Sequence, residues 1–385
     1  MTSFLPPDRL LLGPGPSNVS ERVLAAMARP TIGHLDPRFV GMMDEVKELL
    51  RFAFKTRNAL TVPISAPGSA GMEACFVNLI EAGDTVIVCQ NGVFGGRMRE
   101  NVVRLGATAI MVQDSFGTPV DVDKVEAALK ANPGAKALAF VHAETSTGVQ
   151  SDAQALCALA RAHGALSIVD AVTSLGGIRL EVDAWGADAI YSGSQKCLSA
   201  PPGLSPLSFG EHAISALKAR KSPVQSWFLD LSLVMAYWQG EGARAYHHTA
   251  PINMLYALHE ALLILQEEGL EAAWARHLRN HELLRDGLEV IGLQEQPLFP
   301  CDLAEPRHPA LNLLSGRNRR PQFLIPQIRH GPSAAPNPNI PAPLVCVHRP
   351  AGSSVVFGVD CRSSTSETKR AQVSPRPSFV GSQQP

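Results

Sequence analysis

Up to about residue 293, short apolar runs alternate with stretches whose apolar positions recur at helical spacing. TVIVCQ (85–90), ATAIMVQ (107–113), KALAFVHA (136–143), ALSIVDA (165–171) and Ala187–Tyr191 read as strands. DVDKVEAALKAN (121–132) and SDAQALCALARAHG (151–164) read as amphipathic helices, the second stopped by Gly164. From Pro251, the spacing of Leu255, Leu258, Leu262 and Leu265 predicts one long helix. Alternation of this kind predicts an α/β fold with a mainly parallel sheet, which binds ligands at the carboxyl ends of its strands. No internal repeat interrupts it.

Beyond that point the pattern dissolves. Residues 295–385 hold 15 of the 30 prolines and ten Lys/Arg against five Asp/Glu, with no sustained period. Such a segment buries too little apolar surface to offset its ordering entropy, and coil is expected there. The chain therefore divides into an arm (1–20), a large α/β domain (21–268), the start of a smaller domain (269–294) and a Pro-rich tail (295–385).

Composition narrows the function. A length of 385 residues suggests two domains, and 45% hydrophobic with 18% charged residues is an ordinary globular balance. The net charge of −1 gives no reason to invoke nucleic acid or an anionic membrane. No apolar run reaches membrane-spanning length, the start lacks a signal-peptide pattern, and GSQQP is not a peroxisomal signal. Seven scattered cysteines without metal-ligand spacing suit reduced thiols, so a cytoplasmic protein without a metal site is expected.

Four features share one chemical explanation. Lys196 is expected at the end of its strand, between SGSQ and a Pro201-Pro202-Gly203 corner. An amine desolvated among small residues becomes nucleophilic toward an aldehyde. Asp170 closes SIVDA, and a carboxylate beside a pyridine nitrogen keeps that nitrogen protonated. In SAPGSAGMEACFVNLIEAGD (65–84), small residues including Gly68 and Ser69 lead into a helix whose N-terminal N–H groups suit a phosphate. Phe94, in NGVFGGR, offers a face for a planar ligand. Taken singly, each has a plainer reading: a solvated lysine, a turn-forming Asp, a loop-to-helix junction, a core ring. Together they are the parts that hold pyridoxal 5′-phosphate.

The motifs carry a family likeness. From LLGPGPSNV (11–19) through TRN (56–58), TSTGV (145–149), VDAVTSLGG (169–177), SGSQK (192–196), APPG (200–203) and YHHTAP (246–251) to VIGL (290–293), the chain resembles a class V, fold-type I aminotransferase of the alanine–glyoxylate / serine–pyruvate group. The resemblance implies that Lys196 is the Schiff-base lysine and Asp170 the partner of the pyridine nitrogen. It implies Gly68 and Ser69 at the phosphate with Gln195 nearby, Phe94 stacked on the ring and Thr145 near the ring oxygen. Tyr246 and Thr249 would reach the neighbouring subunit's phosphate, giving a homodimer with shared sites. GPGP (13–16) and IGH (32–34) resemble the substrate-side loops. The implied reaction is ping-pong transfer of an amino group from alanine or serine to glyoxylate or pyruvate, with amino acids and 2-oxo acids as partners.

The family continues with a small α/β domain carrying a carboxylate-binding arginine in a (K)xxRIGxxG-like motif. Nothing in 294–385 matches it: Arg329 and Arg349 stand in other contexts. The sharp stop points to a shifted reading frame or a mis-joined exon, and leaves the small domain atypical or missing. Two other readings stand beside the first: a lyase, desulfurase or pyridoxamine-type transaminase on the same cofactor, or a cofactor-binding chain impaired in catalysis. A desulfurase needs a mobile thiol, and Cys197 points away from its neighbour Lys196 if that stretch is extended.

Overall fold

The computed structural model describes residues 1–238 and 244–290 and the strands Leu344–His348 and Ser354–Gly358. The chain divides into two compact units, Met1–His330 and Gly331–Pro385.

In the first unit the strands are β1 (Leu60–Ile64), β2 (Thr85–Gln90), β3 (Thr108–Gln113), β4 (Ala137–Val141), the short pair β5 (Ala143–Glu144) and β6 (Val149–Gln150), β7 (Leu166–Asp170), β8 (Ala189–Tyr191) and β9 (Ser205–Phe209). Seven of them form one sheet in the order β1-β9-β8-β7-β4-β2-β3, in which only β9 runs against its neighbours. Every residue of β4 and β7 is buried, as expected of central strands in a mostly parallel sheet. The helices are α1 (Glu21–Met27), α2 (Pro37–Phe54), α3 (Gly68–Leu79), α4 (Val93–Arg104), α5 (Val122–Ala131), α6 (Ala153–Ala162), α7 (Val182–Trp185), α8 (Glu211–Lys218), α9 (Leu231–Trp238), α10 (Ile252–Glu268) and α11 (Leu270–Val290).

Local chemistry explains the boundaries. Asp121 and Asp152 cap α5 and α6 by accepting N–H groups of the first turn, and Gly164, at φ +71°, follows the end of α6. Leu255, Leu258, Leu262 and Leu265 are all buried along α10, which packs on α1 and α2. The TRN segment is structural: Thr56 Oγ1 donates to Asp183 Oδ1 at 2.5 Å, and Asn58 Nδ2 donates to Ser208 Oγ at 3.0 Å. It ties the exit of α2 to α7 and β9.

Two departures from the sequence pattern have clear causes. Strands β1 and β9 were not among those read from the sequence; each contains a proline, Pro63 and Pro206 stand opposite each other in register, and β1 is the edge strand, where proline is tolerated. In the second unit, β10 (Leu344–His348) and β11 (Ser354–Gly358) form an antiparallel pair where coil was expected. Each carries a short Val-rich run that the proline-dominated composition of the whole tail obscures. The rest of the tail, with Arg329 and Arg349, lies outside the described residues. Among the described residues no helix is long and apolar enough to cross a membrane.

The packing of α3 on the sheet depends on Gly71. A Cβ there would lie 1.9 Å from Ser205 Oγ and 3.3 Å from Tyr191 Cβ. Gly71→Ala is therefore expected to destabilise the fold by about 1–3 kcal/mol despite the better helix propensity of alanine. Urea denaturation measures it.

Candidate active site

The parallel register brings Asp170 and Tyr191, the last residues of β7 and β8, side by side. The Asp170 carboxyl is buried; Oδ1 accepts from Val172 N–H at 2.8 Å and Oδ2 from the Tyr191 hydroxyl at 2.7 Å. Burial pushes its pKa up to about 6, against the opposing effect of these two hydrogen bonds and of the Lys196 charge, while Glu144 adds to the rise.

Lys196 does not stand at a strand end. β8 stops at Tyr191, and the chain then closes a tight turn in which Ala200 N–H donates to Ser194 O and Ser199 N–H to Lys196 O. The half-buried amine, its pKa lowered by burial and partly restored by Asp170, donates to Pro14 O at 2.9 Å. The arm grips the same turn from outside: Ser17 N–H donates to Gln195 O at 3.0 Å and Ser17 Oγ to Lys196 O at 3.1 Å. Gly15, at φ +132°, is needed there, since a Cβ would sit 2.5 Å from Lys196 Cδ.

The N-terminus of α3 abuts this pair. A Cβ on Gly68 would lie 3.3 Å from Val172, just after Asp170, and 3.4 Å from Ser192 O, just before the lysine turn. The preceding residue, Pro67, supplies no side-chain cap. The first N–H groups of the helix are thus free of an intrahelical partner, as at any helix start. Ser69 is exposed at the mouth, and the buried Gln195 Oε1 has no hydrogen-bond partner.

Glu144, at the end of β5, organises the other side. Its carboxylate accepts from Phe94 N–H at 3.2 Å and from Ser146 N–H and Oγ at 3.0 and 2.7 Å. Phe94 is held at the start of α4, with the Arg97 guanidinium 4.6 Å from its ring centroid. The Thr145 hydroxyl contacts that of Thr173, in the turn after Asp170.

Tyr246 and Thr249 stand apart. Their hydroxyls are 3.5 Å from each other, Tyr246 is 63% exposed, and neither has a hydrogen bond to Asp170, Lys196 or α3. The neighbouring His248 does reach the segment before α3, its Nε2 lying 2.7 Å from Ser65 Oγ. A separate cleft of about 720 Å³ between α2, α7 and α11 is lined by charged residues already paired in salt bridges, such as Arg51 with Glu48 and Lys55 with Glu181. It shares no residue with this site.

Residues 11–312 match the family described as aminotransferase class-V. The chain belongs to the class-V aminotransferase family. An alanine–glyoxylate aminotransferase of Oryctolagus cuniculus is 41% identical over 289 residues, covering 75% of this chain and 74% of that one. A (S)-ureidoglycine–glyoxylate transaminase of Bacillus subtilis is 37% identical over 307 residues, covering 75% and 73%. A crystal structure of an alanine–glyoxylate aminotransferase from Nostoc sp. superposes with a TM-score of 0.75 at 44% identity, covering 77% and 78%.

For this class-V aminotransferase the family match runs past residue 293, where the motif reading ended, to residue 312. Cys197 also needs correcting: its stretch is a turn rather than extended, and its Sγ is turned to Thr173 O at 3.2 Å. Burial pushes that thiol up to about 11, so it is protonated at neutral pH and unsuited to attack. Among the described residues no group of His, Cys, Asp or Glu could hold a metal ion. Tyr191, Glu144 and Ser17 were missed in the sequence. The first two stand immediately before SGSQK and TSTGV, and only spatial neighbours reveal what they bind.

The buried carboxyl has a measurable cost. The unfolded chain releases the Asp170 proton near pH 4 and the folded chain near pH 6, so folding is increasingly opposed as pH rises through that window. The full loss, above about pH 6, corresponds to about 3 kcal/mol. Asp170→Asn, which keeps the shape, is expected to stabilise the cofactor-free chain by that order at pH 8. Urea melts at several pH values should show the gain shrinking toward zero by pH 4.

Proposed function

We propose that the chain is a pyridoxal 5′-phosphate-dependent transaminase moving an amino group from alanine or serine to glyoxylate or pyruvate. The observation that carries it is the convergence of three segments: the Asp170 strand end, the Lys196 turn and the uncapped N-terminus of α3, where a Cβ on Gly68 would meet both Val172, two residues after Asp170, and Ser192, which leads into the lysine turn. These residues fit the group, since the uncapped helix start offers N–H donors at Gly68, where an added Cβ would fill the space, and Lys196 supplies a nucleophilic amine. When bound, the cofactor supplies an aldehyde for the amine and a cationic ring that draws electrons from the substrate Cα. Asp170 would hold the proton on the ring nitrogen. The N–H groups of Gly68 and Ser69 would hold the phosphate, assisted by the positive end of α3. Phe94 would support the ring and Thr145 would serve the ring oxygen. Lys196 Nζ, once free, would take the proton from the substrate Cα and give it to the cofactor carbon.

The glyoxylate and alanine assignment is supported by the relatives at 41% and 44% identity, both alanine–glyoxylate aminotransferases. The exposed ring of Tyr246 supports a homodimer in which it serves the partner's phosphate. Light scattering is expected to give twice the chain mass, and a monomer that holds the cofactor tightly would contradict this. One observation favours a second reading, a chain that binds cofactor but uses substrate weakly: residues 294–385 contain no match to the family's arginine motif. Losing one partner of a desolvated charged pair costs about 2–5 kcal/mol, or roughly thirtyfold to several-thousandfold in substrate use.

Adding pyridoxal phosphate to the full chain should produce visible absorbance and, after borohydride, covalent label at Lys196. Lys196→Ala should abolish that label; label persisting on another lysine would overturn the assignment. Bleaching of the absorbance by L-alanine or L-serine supports the first reading, and cofactor uptake without bleaching supports the second.

A further inference from the structure

The catalytic carboxylate of this reading has a dedicated donor. Tyr191 is completely buried at the end of β8, directly opposite Asp170, and α3 packs so close to it at Gly71 that an added Cβ there would lie 3.3 Å from Tyr191 Cβ. Burial and the Asp170 charge push its own pKa well above the ordinary phenol value, so it remains a donor throughout the accessible pH range. Its O–H and the Val172 N–H each occupy one Asp170 oxygen. A carboxylate offers about four lone-pair positions, so room is left for a ring N–H.

The other groups facing Asp170 come from three elements. Cys75 of α3 is a buried thiol whose pKa is pushed well up, so it carries no charge. Glu144 of β5 is a like charge that opposes ionisation, and Lys196 of the following turn is an opposite charge that favours it. Lys196 is also the group that must leave its place during turnover. Among the described residues, Tyr191 is then the side chain that still stabilises the carboxylate.

We propose that Tyr191 is a positioning residue of the transamination site: its hydroxyl fixes the orientation of the Asp170 carboxylate and favours its charged form, so that the carboxylate can hold the proton on the ring nitrogen. This rests on the cofactor reading above. It assigns a role to a residue that does not itself touch the cofactor.

Tyr191→Phe in the full chain removes the O–H and keeps the ring. Infrared titration of the cofactor-free protein reads the Asp170 carboxyl band, assigned by its absence in Asp170→Asn. The midpoint is expected to move up by about one pH unit or more in Tyr191→Phe. Incorporating 3-fluorotyrosine at position 191, a stronger donor of nearly the same shape, is expected to move it down. With pyridoxal phosphate present, the dissociation constant at pH 7 should rise about tenfold in Tyr191→Phe. A midpoint unmoved in both variants overturns the proposal. Failure of the parent chain to take up pyridoxal phosphate overturns the cofactor reading instead, and the cofactor-free titration reads the Tyr191 effect separately.

Discussion

A carboxylate removed from water at the end of a central strand is the constraint around which this site is built. Asp170 is 2% exposed, and left alone such a group would take up a proton at neutral pH. The fold counters this with the in-register Tyr191 hydroxyl, the Val172 N–H that follows it in the chain, and the Lys196 amine across the pocket. The Tyr191 hydroxyl would not be in place without the parallel β7–β8 pairing, which is fixed by the buried apolar faces of both strands. The reactive centre inherits its geometry from the sheet.

The same centre draws on distant segments of the sequence. The arm at residues 14–17, the helix start at residue 68, the β5 end at residue 144 and the turn at residue 196 all close on Asp170 or its immediate neighbours. Glycine makes two of these approaches feasible. Gly15 admits the lysine stem, and Gly71 seats α3 against the strand that carries Tyr191. The helix start can then lie beside both Val172 and Ser192.

Much of this was readable before any coordinates. The interior parallel strands announce themselves as short continuous apolar runs, and α10 by its leucine spacing, because burial on both faces or on one stripe imposes those patterns. The motif around Asp170 and that around Lys196 were legible because small residues flank a lone ionisable group. What escaped was information held in pairings: β1 and β9 pair as strands although each contains a proline, and Glu144 and Tyr191 matter through the N–H and carboxylate they touch. Lys196 was placed at a strand end because the backbone bonds that close its turn, Ser199 N–H to Lys196 O and Ala200 N–H to Ser194 O, leave no mark on the sequence. In the second unit, two five-residue valine-rich runs form strands within a segment whose average composition suggests none.

The clasp of the arm on the lysine turn has a consequence for the order in which the protein is made. Pro14 and Lys196 are 182 residues apart, so the arm leaves the ribosome long before the surface it will lie on exists. Contacts of such separation form late, after the sheet that positions the turn has closed. Until then the nascent lysine pocket lacks one wall and its amine faces solvent. A completed arm therefore reports that about the first 200 residues have already folded, and the Lys196 amine gains its Pro14 acceptor only at the end of that sequence of events.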